Sequence, residues 1–291
     1  VNRIWKQHFG RGLVATVEYF GAQGRLPTHP ELLDWLAGHF IESGWDRKAL
    51  HKLILMSATY RQSSVASPEL VGRDPDNSLL ARGPKHRFGA EVIRDHALAA
   101  SGLLVQKVGG PSVKPYQPAG VWEESGTGKT YTQDKGDKLY RRSLYTFWRR
   151  TAPPPSMLTF DATSREVCTA KRETTTTPLQ ALVLLNDPQF LEAARVLAEQ
   201  TIRTHGDNLG ARVDDAFRRL TGRPPQPREQ EILTRLLTEQ LDYFKTQPEA
   251  AAKYLAIGER ARAAALPTEQ VAATTVMISA VMNHDEFVMK R

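Results

Sequence analysis

Residues 177–205 read TPLQALVLLNDPQFLEAARVLAEQTIRTH. Two proline-started apolar runs meet at Asn186-Asp187-Pro188, and the reading of that junction decides the fold class. Thr177, Pro178 and Gln180 have the make-up of a capping box that opens a helix. Leu179, Leu182, Val183 and Leu185 supply its apolar content. Asn186 closes it, Asp187 is the N-cap of the next helix, and Pro188 takes the first position, where an N–H is not needed. Phe190, Leu191, Ala194, Leu197 and Ile202 then recur along that second helix.

The same grammar extends in both directions. Downstream, AFRRLTGRPPQPREQEILTRLLTEQL (216–241) predicts a helix, a Gly-Arg-Pro-Pro turn and a second helix, and residues 268–283 predict a last one. Upstream, THPELLDWLAGHFIESG (28–44) carries Thr28 as N-cap, Pro30 in the first turn and Glu31 at the third position. Leu32, Leu33, Leu36 and Phe40 follow at helical spacing, and Gly44 is the stop. DRKALHKLILMSATYRQ (46–62) has Asp46 as N-cap and Leu50, Leu53, Ile54 and Ala58 as its buried stripe, which makes the pair a helical hairpin. Val1, Ile4, Trp5 and Phe9 share one face of an N-terminal helix, and residues 87–107 predict another amphipathic helix.

Two stretches break the pattern. Residues 63–84, rich in Ser, Pro, Gly and Asp, read as a surface loop. GGPSVKPYQPAG (109–120) is incompatible with regular helix because its prolines lack the donor and clash with the preceding turn. KLYRRSLYTFWRR (138–150) has the aromatic content of a strand that pairs locally, before Pro153-Pro154-Pro155 breaks it. The expectation is a mostly α, multi-helix bundle-like domain with an irregular Pro/Gly-rich central insertion and at most a short β element. Its regions are 1–108 (helical), 109–176 (insertion and basic-aromatic segment) and 177–291 (helical), forming one domain cut from a larger protein. Val1 in place of an initiator methionine agrees with that expectation.

Composition narrows the function classes. Of 291 residues, 41% are hydrophobic and 24% charged, the balance of a globular chain, and no apolar run is long enough for a transmembrane helix. The net charge of +7 favours acidic partners such as anionic polysaccharide or nucleic acid. A single cysteine, Cys168, excludes an internal disulfide, an all-cysteine metal site and c-type haem attachment within the chain. GTGKT (126–130) is not a phosphate loop, because Glu123 stands where the motif needs a glycine. No two of the eight histidines stand four apart on a helix as metal ligands; His96 (RDHA) and His284 (NHDEF) neighbour carboxylates, which can orient a general base.

The strongest chemical signal is basic and aromatic. Arg141, Arg142, Arg149 and Arg150 bracket Tyr145, Phe147 and Trp148. Guanidinium forks hold carboxylate, sulfate or phosphate, and aromatic faces hold sugar rings or bases. SREVCTAKRET (164–174) adds Arg165, Lys171 and Arg172 among Glu166 and Glu173, the pattern of an ion-pair network, with Cys168 either an activated thiolate or an inert thiol. The candidate ligand surface is Arg141, Arg142, Trp148, Arg149, Arg150, Arg165 and Arg172. The same pattern also fits aromatics buried in the core with these arginines paired to Glu and Asp elsewhere in the chain. Two rival readings remain open: a polysaccharide-active enzyme using Asp161, Glu166 or Glu173, and nucleic-acid binding through the basic surplus.

Six stretches carry a family resemblance: VNRIWKQHFGRGLV (1–14), PTHPELLDWLA (27–37), ALHKLILMSATYRQSS (49–64), the long segment from Leu139 to Phe190, RLTGRPPQPREQEI (219–232) and NHDEF (283–287). Together they resemble the planctomycete cytochrome-associated PSD domain, domain of unknown function fifteen-fifty-three. The resemblance implies a module near the C-terminal end of a large exported protein, hence an extracytoplasmic location. It implies neighbouring domains as partners, c-type haem only in those neighbours and no cofactor in this chain, and a link to electron transfer or polysaccharide use. It brings no catalytic residues with it.

Overall fold

The computed structural model describes residues 1–126 and 128–290, and its helices and chain order are those of a mostly α protein. Two units are distinguished by their internal packing.

The first unit comprises residues 1–87, 168–172 and the end of the chain from Met289. It contains helices α1 (Asn2–Phe9), α2 (Pro30–Glu42), α3 (Arg47–Met56) and α4 (Pro68–Arg73). Strand β1 (His86–Arg87) pairs antiparallel with β2 (Met289–Lys290), with His86 opposite Lys290 and Arg87 opposite Met289. The core is Trp5 and Phe9, stacked with ring centroids 4.2 Å apart, against Leu13, Leu36, Leu50 and Ile54. The buried Asn2 amide locks the chain after α1 by donating to Val14 O and accepting from Val14 N, each at 3.0 Å.

Capping explains the starts of these helices, with corrections. Asp46 accepts the Ala49 N–H at 3.0 Å, as its position implies. Thr28 does not cap α2: the N-cap is His29, and the Thr28 hydroxyl turns back to Leu13 O instead. Residues 63–84 are not loop throughout, since Ser67 caps the short α4 by accepting the Leu70 N–H.

The second unit comprises residues 88–167 and 173–288. It contains α5 (Ala90–Ala100), α6 (Pro155–Thr159), α7 (Pro178–Asn186), α8 (Pro188–His205), α9 (Leu209–Thr221), α10 (Pro227–Thr246), α11 (Pro248–Leu255), α12 (Thr268–Met282) and α13 (Asp285–Val288). Helix α12 is buried on all sides, which makes it the central element; α8 and α10 lie against it, with α9 and α11 around them. Asp187 accepts the Gln189 N–H at 3.0 Å, so the junction at 186–188 works as read. The Thr177–Gln180 capping box does not form. The Gln180 side chain is buried and donates to Thr159 O and Thr175 O, and Leu179, Leu182 and Leu185 stand on the exposed face of α7. The capping box of this unit is Gln226 with Glu229, which opens α10.

Buried charge on α8 ties the irregular segments down. Glu192 accepts the Tyr116 and Tyr140 hydroxyls at 3.0 and 3.1 Å and the Arg260 N–H at 2.7 Å. Burial and this carboxylate push the Tyr140 phenol up to about 12, so it stays a donor. The strand expected at 138–150 is absent: the segment is two short 3-10 turns (Gly136–Tyr140 and Ser143–Tyr145) that touch neighbours through single bridges, Val105 to Arg141 and Val113 to Thr146.

The Gly-Arg-Pro-Pro turn hides an ion-pair hub. Gly222 ends α9 in the left-handed conformation, and Arg223 then lies over Phe217, 4.9 Å from its ring centroid. Its guanidinium donates to both Glu229 oxygens, at 2.7 and 2.8 Å, and to Glu286 at 2.7 and 3.0 Å. The Arg223 hydrogen bonds pull the Glu229 carboxyl down from the ordinary 4.5 to about 2. A depressed carboxyl stabilises the fold above its unfolded pKa, and that contribution is lost as pH falls through 4.5 toward about 2. Glu229→Gln is expected to cost about 1–2 kcal/mol at neutral pH, less than the full pKa shift implies because solvent screens this partly exposed carboxylate, and to flatten urea-measured stability across that acid window. An unchanged acid profile would mean the hub contributes nothing.

Candidate functional site

The basic-aromatic segment is fixed to the second unit by two neighbours on α5. The buried Arg94 guanidinium donates to Leu139 O (2.6 Å), Arg141 O (2.8 Å), Ser143 Oγ (3.2 Å) and Gln189 Oε1 (2.7 Å). Burial pulls its pKa down to about 10, still well above neutrality, so it remains a cation. Asp95 accepts the Ser143 N–H at 2.7 Å. Residues 139–143 are therefore tied to α5, and the chain leaving them carries Phe147, Trp148 and Arg149.

The arginines named from sequence separate into different roles. Arg141 is 5% exposed and donates to the carbonyls of Lys107, Gly109 and Pro111 at 2.6–3.0 Å, with its guanidinium 3.7 Å from the Tyr145 ring centroid. It clamps the 107–111 loop. Arg142 is exposed, with Nε 3.6 Å from Asp95 Oδ2. Arg149 lies over the Trp122 ring, 4.7 Å from its centroid, and Arg150 is exposed beside it in the chain. Arg165 lies 4.5 Å from the Trp148 centroid, and the Trp148 indole N–H donates to Ser164 O at 3.0 Å. Arg165 holds a φ of +64°, a left-handed backbone that costs a non-glycine residue about 1 kcal/mol. Arg172 and Cys168 are exposed and belong to the first unit.

Two contributors come from the irregular segment and were not singled out from sequence. Lys114 Nζ lies 5.2 Å from the Trp122 centroid and 5.6 Å from that of Phe147. Its backbone N–H is held by Asp134 Oδ2 at 2.8 Å. Trp122 packs against Phe147, with centroids 5.6 Å apart and planes tilted by 48°, and edge-on against Tyr131. The only signal in the sequence was a lone tryptophan within a Gly- and Pro-rich stretch, which has no period to place it.

The acidic residues are partly accounted for. Asp161 accepts the Thr175 N–H at 2.9 Å and its hydroxyl at 2.8 Å, closing the 161–175 loop; Glu166 and Glu173 are exposed. His96 stacks on Phe287 (4.7 Å), and His284 lies 3.6 Å from Glu229 and 3.4 Å from Asp285. In the first unit His8 Nε2 and His51 Nδ1 share one hydrogen bond of 2.7 Å, and burial followed by the His51 and Lys290 charges keeps His8 below its usual pKa. Among the described residues no cluster of three or more His, Cys, Asp or Glu is disposed to hold a metal ion, and no helix is long and apolar enough to cross a membrane. In GTGKT, Thr127 lies outside the described residues; no α-helix follows Lys129 as a phosphate loop would require.

One family model matches the chain, over residues 1–237: PSD1, protein of unknown function (DUF1553). No curated protein and no solved structure matches it.

Proposed function

We propose that this chain, which belongs to the PSD1 family of proteins of unknown function, is a helical module that packs on neighbouring domains and binds an anionic or carbohydrate ligand. The ligand surface is the Arg149–Trp122 and Arg165–Trp148 pairs with the exposed Arg142 and Arg150. One observation carries the reading: the guanidinium groups of Arg149 and Arg165 lie on indole rings and have no carboxylate partner among the described residues. A cation without an internal counter-charge attracts an external one, and an adjoining ring adds apolar contact. Arg141 holds the 107–111 loop, which leads in the chain to Lys114 and Trp122.

The same reading puts the module in a larger exported, cytochrome-linked polypeptide of planctomycete type, with any haem in its neighbours. That part rests on the resemblance of the quoted motifs. Arg149→Ala combined with Arg150→Ala is expected to abolish retention on an anionic glycan matrix at low salt while leaving the circular dichroism melt in place. Retention unchanged in the double variant would remove the ligand surface from the reading and leave a packing module.

A further inference from the structure

The donors around Trp122 lack something to bind. Trp122 is 6% exposed, yet its Nε1–H is buried with no acceptor among the described residues. Nη1 of Arg149, on the guanidinium stacked over that indole, is likewise buried and unpaired. Both groups can only donate, and native proteins rarely leave such donors unsatisfied. Lys114 adds a second positive charge over the same ring, again with no carboxylate partner for its ammonium among the described residues.

Resting on the ligand-binding reading above, we propose that Lys114, Trp122, Phe147 and Arg149 form a subsite for one acidic group carried on a sugar ring, either a carboxylate or a sulfate ester. Two N–H donors and two cations call for an anion with at least two acceptor oxygens. Trp122 is 6% exposed with the guanidinium over its ring, so it has no open face for stacking a base, and what it has to give a ligand is its unpaired N–H. The ring left accessible is Phe147, 38% exposed and tilted beside Trp122, where the C–H face of a sugar can lie. Nucleic acid is a poorer fit, because it needs a track of cations and successive open rings, and this subsite has two cations and one such ring.

The test is calorimetric titration of the full chain with five probes: an oligogalacturonate (carboxylate), a sulfated heparin-derived disaccharide (sulfate ester), a neutral galacto-oligosaccharide, a simple salt (sodium sulfate or acetate), and a single-stranded oligonucleotide. At least one acidic saccharide is expected to bind ten or more times more tightly than the neutral sugar and the simple ions, and the arm that binds identifies the acidic group. Trp122→Phe keeps a ring and loses the N–H, and is expected to weaken that binding about tenfold. Arg149→Gln is expected to abolish it, and each variant is checked by its melting curve. Simple ions binding as tightly as the saccharides would overturn the sugar assignment and leave the anion-binding surface standing. Saccharide binding unaffected by Trp122→Phe and Lys114→Met but lost in Arg165→Gln would move the site to Trp148. A single-stranded oligonucleotide binding best, with steep salt dependence, would overturn the subsite's ligand class. No binding by any probe would overturn both the subsite and the ligand-binding reading.

Discussion

Arg94→Ala is expected to lower folding stability by about 3–5 kcal/mol and to remove ligand retention with it. The guanidinium is fully buried and makes four hydrogen bonds, two of them to backbone carbonyls at Leu139 and Arg141. Truncation leaves those carbonyls and Gln189 Oε1 buried without a donor, at about 1–3 kcal/mol each before relaxation. It also leaves Asp95 and Asp187 without the cation that both feel. Arg94→Lys keeps the charge but lacks the planar fork, so it is expected to recover only part of the loss. The functional consequence follows from connectivity. Residues 139–143 are pinned by Arg94 and Asp95, and Phe147 and Arg149 lie just beyond them in the chain. Urea denaturation gives the stability term, and retention on an anionic matrix under folding conditions gives the second. A variant as stable as the parent would show that the buried guanidinium is dispensable.

The second large effect is expected at Phe217, where alanine should cost about 3–5 kcal/mol. The ring is 1% exposed in the core, edge-on to His284 with centroids 5.8 Å apart. It also underlies the Arg223 guanidinium, so its removal empties a cavity and loosens the hub formed with Glu229 and Glu286. Phe217→Leu conserves most of the volume and is expected to cost about 1.5 kcal/mol or less. Because the ring and the hub share Arg223, Phe217→Ala and Glu229→Gln should be non-additive by about 0.5 kcal/mol or more in a denaturation cycle. Strict additivity would mean that the ring packs independently of the ion pairs.

The helices were legible because their signals are local. Asp46 and Asp187 cap as their positions imply, and prolines stand at the first helical positions of α7, α8 and α10. Capping failed as a guide where a tertiary partner outbid it: Gln180 turns to Thr159 and Thr175, and Thr28 to Leu13. The Gly-Arg-Pro-Pro turn was visible as a turn, but the partner that makes Arg223 a hub is Glu286, sixty-three residues away. In the basic-aromatic segment, 3-10 turns remove any simple period, so nothing in RRSLYTFWRR distinguishes the buried Arg141 from the available Arg149. Lys114 and Trp122 join the site across an irregular stretch, which no sequence pattern encodes.

The proposed subsite turns on a Trp122 N–H that has no acceptor among the described residues and takes one from the ligand. Indole-labelled nitrogen-15 spectra, with the Trp122 resonance assigned by Trp122→Phe, address that single group among five tryptophans. On adding a saturating acidic oligosaccharide, its N–H proton should move downfield and its exchange with water should slow, while the Trp148 N–H, already bonded to Ser164 O, changes little. A Trp122 resonance that stays in place while the saccharide binds would contradict the assignment of this donor to the ligand.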